Sequence, residues 1–310
     1  MQVAFFPDSP SPKWHRPIAA LGNFDGLHRG HMKLLERVRR QAGERGGTPV
    51  VLIFDPHPPR VLRPEKAPPL LMTLDQKLEA FERAGMQGVA IVRFTAELAL
   101  WEPEHFVEAV LIDWLHVSEV WVGANFLFGR NRAGTYTLLR ALGEDRGFHT
   151  EKIDPVRYKD FVVSSSRVRH LIGEGRVDEA AALLGHQYFI DGTVIHGDGR
   201  GRQLGFPTAN LSTRNDLLPA QGIYATIAIV GGVQHAAVTS IGVRPTIGDG
   251  PVTVETFLLN GTHELYDAPL RLAFVQWLRE ERKFDGLDAL RSAIAADCAT
   301  ARALFERLSL

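Results

Sequence analysis

Between residues 17 and 150, short apolar runs alternate with longer segments in which apolar residues recur at helical spacing. The runs are PIAALGNF, TPVVLIFDP, GVAIVRF and SEVWVGANF, and each is followed in turn by RGHMKLLERVRRQAG, TLDQKLEAFERAG, PEHFVEAVLIDWLH or TYTLLRALGEDRG. This alternation is typical of strand–helix–strand units, which form an open parallel sheet covered by helices. We therefore predict an α/β domain of Rossmann-like type, with ligands bound beyond the carboxyl ends of its strands.

Three loops that leave those strand ends carry unusual residues, namely DGLHRGH, DPHPPR and GANFLFGRNRAG. The Pro-rich stretch HPPRVLRPEKAPPLL predicts a long loop. The segment SSSRVRHLIGEGRVDEAAALLGH predicts two short helices that close this half of the chain.

After about Gly185 the apolar period changes from helical spacing to two, in QYFIDGTVIHG, IYATIAIV, VQHAAVTSIG, VTVETFLLN and LRLAFVQWL. Short strands joined by Gly-rich turns such as Gly231-Gly232 indicate a small antiparallel sheet or β-barrel. A terminal helix is predicted in GLDALRSAIAADCATARALFERL. We place the boundary so that residues 1–186 and 187–310 form two domains.

Composition narrows the class of protein. Lys and Arg number 35 against 36 Asp and Glu, so no global positive field favours nucleic acid or a membrane surface, and we expect neither as a partner. The single Cys298 fits a reducing compartment. The N-terminus lacks the pattern of a signal peptide, and no stretch approaches about 18 uninterrupted apolar residues. We expect a cytoplasmic protein.

The first candidate site is the stretch GNFDGLHRGH, in which Gly22 and Asp25 belong to a tight turn between a strand and a helix. The N-terminus of a helix presents free N–H groups and partial positive charge, which attract phosphate. His28 and His31 lie one turn apart there, where both rings can bond phosphate oxygens, and Gly30 leaves room for close approach. The simpler alternative is one capping histidine and one surface histidine.

A second anion site is predicted where Ser165, Ser166 and Arg169 begin a helix, because hydroxyl, N–H and guanidinium groups meet there. An ordinary N-cap with solvated arginines is the alternative. Two anion sites in one domain suggest a triphosphate. This domain contains no Walker-type or dinucleotide-binding glycine motif.

The C-terminal half carries its own candidates. The loop HGDGRGRQLGFPTANL places Gly197, Gly201 and Arg202 where backbone N–H groups can approach a phosphate. Thr208 and Asn210 alternate outward on a strand and can offer oxygen atoms to Mg²⁺. Glu255 is the only carboxylate in its strand and can serve as a base if it faces a cleft, whereas facing water it is an ordinary strand residue.

The N-terminal motifs GNFDGLHRGH, FDPHP, VGANFLFG and SSSRVR, in this order, resemble the adenylyltransferase module of bacterial bifunctional riboflavin kinase/FMN adenylyltransferases, also called FAD synthetases. The resemblance implies transfer of an adenylyl group from ATP to FMN with release of pyrophosphate, aided by His28 and His31. It further implies that Asn125 orients ATP, although many relatives have an acidic residue there. The flavin-bordering residues that it implies are Phe54, Asp55, His57 and Pro58.

The C-terminal motifs GFPTAN, IGVRPTIG, VETFLLN and LREERKF resemble riboflavin kinases, which form a six-stranded barrel. The resemblance implies that Glu255 takes the proton of the ribityl 5′-hydroxyl, and that Thr208 and Asn210 hold Mg²⁺ and ATP phosphates. Arg279 and Phe284 would lie near the flavin.

We thus predict an enzyme that makes FMN from riboflavin and FAD from FMN, with ATP as co-substrate and Mg²⁺ as metal cofactor. The oligomeric state stays open, and a monomer fits. One alternative keeps the kinase but makes the N-terminal module inactive or specific for pantetheine phosphate, nicotinamide mononucleotide or choline phosphate. Another is a flavin carrier without turnover.

Overall fold

The structure is a computed structural model that describes residues 1–197, 201, 205–243, 252–260 and 265–308. Packing divides the chain into two compact units. The first comprises Met1–Pro69 and Leu74–Ser164, and the second comprises Leu70–Thr73 and Ser165–Leu310.

The first unit is built on a six-stranded parallel sheet with the strand order β1-β4-β3-β2-β5-β6. Its strands are β1 Gln2–Phe6, β2 Pro17–Leu21, β3 Thr48–Asp55, β4 Gly88–Arg93, β5 Glu119–Gly123 and β6 His149–Ile153. All five residues of β2 are buried, as expected for a central strand covered on both faces. The carboxyl ends of β2, β3 and β5 are adjacent, so the three predicted loops leave the same edge of the sheet.

Two edge strands were not predicted. The strand β1 precedes the alternating region and pairs with β4 from Gln2 opposite Gly88 to Phe6 opposite Val92. The strand β6 lies at the other edge and pairs with one neighbour only. Its sequence HTEKI is polar, so it lacks the apolar run that identifies the central strands.

Helices cover this sheet. They are α1 Arg29–Arg45, α2 Pro58–Leu62, α3 Leu74–Arg83, α4 Pro103–Phe106, which continues as a π-helix over Val107–Trp114, and α5 Tyr136–Arg146. The helix α1 buries Leu34, Leu35, Val38 and Ala42, and it ends at Gly46, whose φ of 63° favours glycine. The predicted long loop is wrong in part, because Pro58 stands at the first turn of α2 and a short 3₁₀ turn follows at Pro64–Lys66.

The barrel of the second unit is closed and antiparallel, with the strand order β10-β13-β12-β11-β14-β9. Its strands are β9 Tyr188–Ile195, β10 Ala209–Thr213, β11 Gly222–Val230, β12 Val233–Val243, β13 Val252–Leu258 and β14 Pro269–Arg279. A separate two-stranded hairpin of the first unit pairs β7 Arg157–Tyr158 with β8 Phe161–Val162. The predicted turn at Gly231-Gly232 joins β11 to β12, and both glycines have the positive φ that a two-residue hairpin requires.

Three helices complete the second unit: α6 Ser165–Gly173, α7 Val177–Leu184 and α8 Leu287–Leu308. One face of α8 packs its apolar residues against the outer face of the barrel, where Ala301 and Leu304 join a core with Ile223 and Val238. The two predicted short helices are confirmed as α6 and α7. The latter packs against β9 and β14, so packing divides the chain at Ser164 and Ser165, earlier than the proposed boundary between residues 186 and 187.

The predicted fold class is confirmed: a parallel α/β sheet with helices is followed by a small antiparallel barrel with a terminal helix. Across the described ranges, no helix is both long and apolar enough to cross a membrane.

Candidate active sites

His28 and His31 stand together at the start of α1. The residue preceding the helix is His28, whose Nδ1 accepts a hydrogen bond from the backbone N–H of His31 at 3.3 Å. The two rings stack with their centroids 3.7 Å apart and their planes 12° from parallel. Because Nδ1 of His28 accepts, a neutral His28 ring carries its proton on Nε2, which makes Nε2–H a donor.

The turn before the helix is tightly packed. Phe24 is fully buried with a φ of 47°, and its ring lies 5.2 Å from that of His31. A Cβ on Gly22 would press on the Phe24 ring at 3.2 Å, and a Cβ on Gly30 would press on the His28 ring at 3.1 Å. Gly30 therefore makes space for the His28 ring, and the room for phosphate that the sequence indicates there stays a prediction. Asp25 is buried in the same turn.

The environment of His31 disfavours its charged form. Burial lowers its pKa well below the ordinary value, and nearby His28 and Lys77 lower it further. Its Nδ1 is buried and makes no hydrogen bond with any described residue. At neutral pH His31 is therefore a neutral ring, and it contacts the rings of Phe24 and His28.

Lys77 is a residue of this site that the sequence reasoning missed. It lies on α3, is 6% exposed, and donates from Nζ to the backbone carbonyl of Asn23 at 3.1 Å. The available signal was its position: Lys77 precedes Phe81 by four residues, on the side of α3 that is buried.

The predicted flavin residues of the FDPHP loop follow the end of β3. Phe54 is half-buried and packs edge-on against Phe94 with centroids 5.8 Å apart, so it also serves the core. Asp55 is exposed, while His57 is 9% exposed and precedes α2, where Pro58 begins the helix.

Asn125 lies exposed in the turn that follows β5, closed by a hydrogen bond from Phe126 N–H to the Gly123 carbonyl. Asn125 therefore lies at the same edge of the sheet as the turn that carries His28. Ser165 and Ser166 form the first turn of α6, and Arg169 follows one turn later, as predicted. Ser165 and Arg169 are half-buried and Ser166 is exposed.

In the barrel, Glu255 is brought together with both predicted oxygen donors. Glu255 on β13 pairs directly opposite Asn210 on β10, and the Thr208 hydroxyl donates to Glu255 Oε2 at 3.3 Å. All three side chains are half-buried. A carboxylate, a hydroxyl and an amide thus share one surface of two neighbouring strands.

Two glycines frame this cluster. A Cβ on Gly197 would overlap the side-chain amide of Asn210, and a Cβ on Gly201 would lie 3.0 Å from the Thr208 hydroxyl oxygen. Close packing of backbone against the oxygen donors therefore requires glycine at both positions. Arg202, the third predicted member of this loop, lies outside the described residues.

Arg279 has a structural partner. Its guanidinium makes a bidentate ion pair with Asp297 on α8 at 2.8 and 2.7 Å, and this ties β14 to the terminal helix. Its guanidinium carbon also lies 5.7 Å from the centre of the Phe284 ring. The sequence predicted Arg279 and Phe284 near the flavin and missed the Asp297 partner, which is 18 residues away in the chain.

A second missed residue is Glu281, whose carboxylate occupies the space that a Cβ on Gly242 would need. The pKa of Glu281 is raised, first by partial desolvation of its carboxylate and then by the negative charge of Glu255. Two carboxylates therefore act on one another at this end of the barrel.

Comparison with known proteins matches each unit to a family. The family model of FAD synthetase matches residues 11–167, and that of riboflavin kinase matches residues 184–305. The fold and the two clusters thus define a transferase of flavin-cofactor biosynthesis that joins a nucleotidyltransferase unit to a kinase barrel.

Whole-chain relatives agree. Bifunctional riboflavin kinase/FMN adenylyltransferases from Pseudomonas fluorescens and Listeria monocytogenes are 39% and 36% identical over 94% of this chain, covering 94% and 93% of their own lengths. The Escherichia coli protein of that name is 34% identical over 93% of this chain and 92% of its own. The chain belongs to the family of bifunctional riboflavin kinase/FMN adenylyltransferases, which confirms the predicted resemblance.

A solved structure shares the fold. It is described as a macrolide-efflux protein from Streptococcus pneumoniae and superposes with a TM-score of 0.87 at 24% identity. The match covers 97% of this chain and 99% of the other chain.

Proposed function

We propose that the barrel phosphorylates riboflavin to FMN and that the α/β unit adenylylates FMN to FAD, each with ATP. The observation that carries the proposal is the presence of two separate polar clusters in one chain of this family. One is the stacked pair His28 and His31 at a helix start, and the other is Glu255 beside Thr208 and Asn210. The proposed boundary between the two activities remains between residues 186 and 187.

In the kinase step, Glu255 accepts the proton of the ribityl 5′-hydroxyl as that oxygen bonds to the γ-phosphorus of ATP. The bond from the γ-phosphorus to the bridging oxygen breaks, and ADP leaves. Glu255 Oε2 accepts a hydrogen bond from the Thr208 hydroxyl at 3.3 Å, so this carboxylate is within reach of a hydroxyl donor.

The oxygen donors of this cluster fit Mg²⁺, which prefers hydroxyl, amide and carboxylate oxygens and keeps several waters. Thr208 and Asn210 would hold the ion, and the glycine contacts of Gly197 and Gly201 keep the backbone close to these donors. When bound, Mg²⁺ neutralises charge on the ATP phosphates.

In the adenylyl step, an FMN phosphate oxygen attacks the α-phosphorus of ATP, and the bond to the pyrophosphate oxygen breaks. The protein contributes alignment and charge stabilisation rather than a covalent intermediate. His28 donates from Nε2 toward the phosphates, and the N-terminus of α1 adds its partial positive charge. His31 supports the His28 ring by stacking and offers a neutral imidazole to the same anion.

The remaining assignments extend the same proposal. The end of the ATP triphosphate away from the histidines is bound by Ser165, Ser166 and Arg169, and Asn125 orients ATP. Phe54, Asp55, His57 and Pro58 border the flavin of the adenylyl site, while Arg279 and Phe284 border that of the kinase site. We further propose a cytoplasmic location.

Because the histidine pair and the Glu255 cluster lie in different units, single replacements in these clusters should separate the two activities. Glu255→Gln keeps the size of the side chain and removes the base, so riboflavin phosphorylation should fall about 10²- to 10⁴-fold. Formation of FAD from supplied FMN should be unchanged. Glu280→Gln, an exposed neighbour in sequence of Glu281, is the matched control and should leave both rates intact.

Loss of both activities in a folded Glu255→Gln protein would contradict the division of labour. A second candidate function is a riboflavin kinase whose N-terminal module is inactive or specific for another nucleotidyl acceptor, and it is motivated by the neutral Asn125 at the adenylyl site. It predicts riboflavin phosphorylation together with no release of pyrophosphate from FMN and ATP. A flavin carrier predicts binding with neither product.

A further inference from the structure

Lys77 is the one buried lysine among the described residues, and the mechanism above does not use it. It is 6% exposed although lysine is almost never fully buried unless its ammonium is engaged. An apolar side chain at this helical position would pack without the cost of removing a charge from water. A buried ammonium at this position therefore indicates that the charge serves the part of the chain that it contacts.

That place is the turn between β2 and α1. The Nζ of Lys77 donates to the backbone carbonyl of Asn23 at 3.1 Å, and the charge of the donor strengthens this bond in a buried setting. One turn later on α3, Phe81 packs edge-on against Phe24, with ring centroids 5.6 Å apart. The helix therefore holds two consecutive residues of the turn, one through the backbone and one through a ring.

The turn needs such support. Phe24 is a bulky residue with a φ of 47°, a conformation that costs energy in a non-glycine residue and persists only when its surroundings hold it. The Phe24 ring lies 5.2 Å from the His31 ring, which in turn stacks on His28. A shift of the turn would thus move both histidines.

We propose that Lys77 is a positioning residue for adenylyl transfer, which fixes the β2–α1 turn through the Asn23 carbonyl and so sets the stacked histidines. The inference rests on the proposed role of His28 and His31 in that reaction. The ammonium of Lys77 also contributes to the lowered pKa of His31, after burial and His28. Lys77 thereby helps to keep His31 in the neutral form that stacks.

The test is Lys77→Met in the full chain, which keeps the length and apolar stem of the side chain and removes the donor and the charge. We expect kcat for FAD formation from FMN and ATP to fall at least fivefold, with KM for ATP changed less than threefold. Riboflavin phosphorylation by the same preparation reports whether the rest of the chain is intact and should be unchanged.

Lys33→Met, which replaces an exposed lysine of α1, is the matched control and should leave kcat unaltered. Lys77→Arg keeps a charged donor and should recover most of kcat. A structural role alone would lower the melting temperature of Lys77→Met and leave kcat at a permissive temperature unchanged.

A kcat for Lys77→Met that falls less than fivefold would overturn the proposal. If Lys77→Met does not fold, Lys77→Leu, which is shorter and also lacks a donor and a charge, takes its place under the same threshold. His31→Gln, measured in parallel, tests the proposed function of the site independently of Lys77. Full FAD formation in that variant would overturn the role of His31, whatever the result for Lys77→Met.

Discussion

The imidazole rings of His28 and His31 lie face to face, 3.7 Å apart, while Nδ1 of His28 also caps the helix that carries His31. One side chain thus serves both the local structure and the proposed phosphate site. The capping alternative and the phosphate-binding alternative are compatible, because they use different nitrogen atoms of the same ring. This relationship suggests how the two roles can be separated.

His28→Asn and His28→Ala should differ in stability but not in activity. Both lose the ring, and therefore FAD formation should fall about 10²- to 10³-fold in each. Asn is a good N-cap and Ala is not, so the Asn variant should unfold with a free energy about 1 kcal/mol higher than that of the Ala variant. Urea unfolding and FAD formation, measured on both, check the prediction. Equal stabilities would contradict the capping role.

The free energy of unfolding of the α/β unit should decrease as the pH falls below about 6.5. The reason is that folded His31 stays neutral while unfolded His31 takes up a proton, so the unfolded state binds more protons. The contribution of one such group reaches about 1.4 kcal/mol per pH unit.

Tryptophan fluorescence in urea is a suitable measurement for this effect, since four of the five tryptophans belong to that unit: Trp14, Trp101, Trp114 and Trp121. His31→Gln should show a shallower pH dependence. An identical slope in that variant would show that His31 titrates normally when folded.

Much of this site follows from the sequence, and the limits have physical causes. Local rules place His28, His31 and Gly30 at a helix start, since strand end, turn and helix follow one another in the chain. They cannot show that Lys77, 46 residues after His31, contacts the Asn23 carbonyl of this turn, because that contact depends on how α3 packs. The same holds for Arg279, whose partner Asp297 lies on another element.

The fold shows the same division. Central strands such as β2 are read from continuous apolar runs, and the hairpin glycines Gly231 and Gly232 from their turn preference. The edge strand β6 is polar and has no such pattern. The helix α2 begins within a Pro-rich stretch, where proline favours a first helical turn as readily as a loop.

Gly197→Ala should impair the kinase selectively. The added methyl group would overlap the Asn210 amide and displace it from Thr208 and Glu255. We expect riboflavin phosphorylation to fall at least about tenfold and to need more Mg²⁺ for half its maximal rate, as oxygen ligands are lost. FAD formation from FMN should be unchanged.

Gly43→Ala is the control for this variant, because a Cβ there meets nothing within 4 Å on α1. An unchanged Mg²⁺ requirement in Gly197→Ala would contradict the placement of the ion at Asn210.

Asp297→Asn should destabilise the barrel unit. It leaves the Arg279 guanidinium with a neutral partner in a setting where the side chains are 23% and 10% exposed. Breaking such a partly buried pair costs about 2 kcal/mol. Hydrogen exchange of the β14 amides measures the loss.

The exposed Glu306→Gln, on the same helix as Asp297, should change the free energy of unfolding by less than about 0.5 kcal/mol. Equal exchange rates in wild type and Asp297→Asn would show that the ion pair contributes nothing to the attachment of α8.

The central claim is that one chain performs two successive transfers. The most direct measurement is a time course of the purified full chain with riboflavin, ATP and Mg²⁺, with flavins separated by chromatography. The account predicts that FMN appears first and that FAD then accumulates as FMN is consumed. A folded protein that yields FMN but never FAD, or neither product, would contradict it.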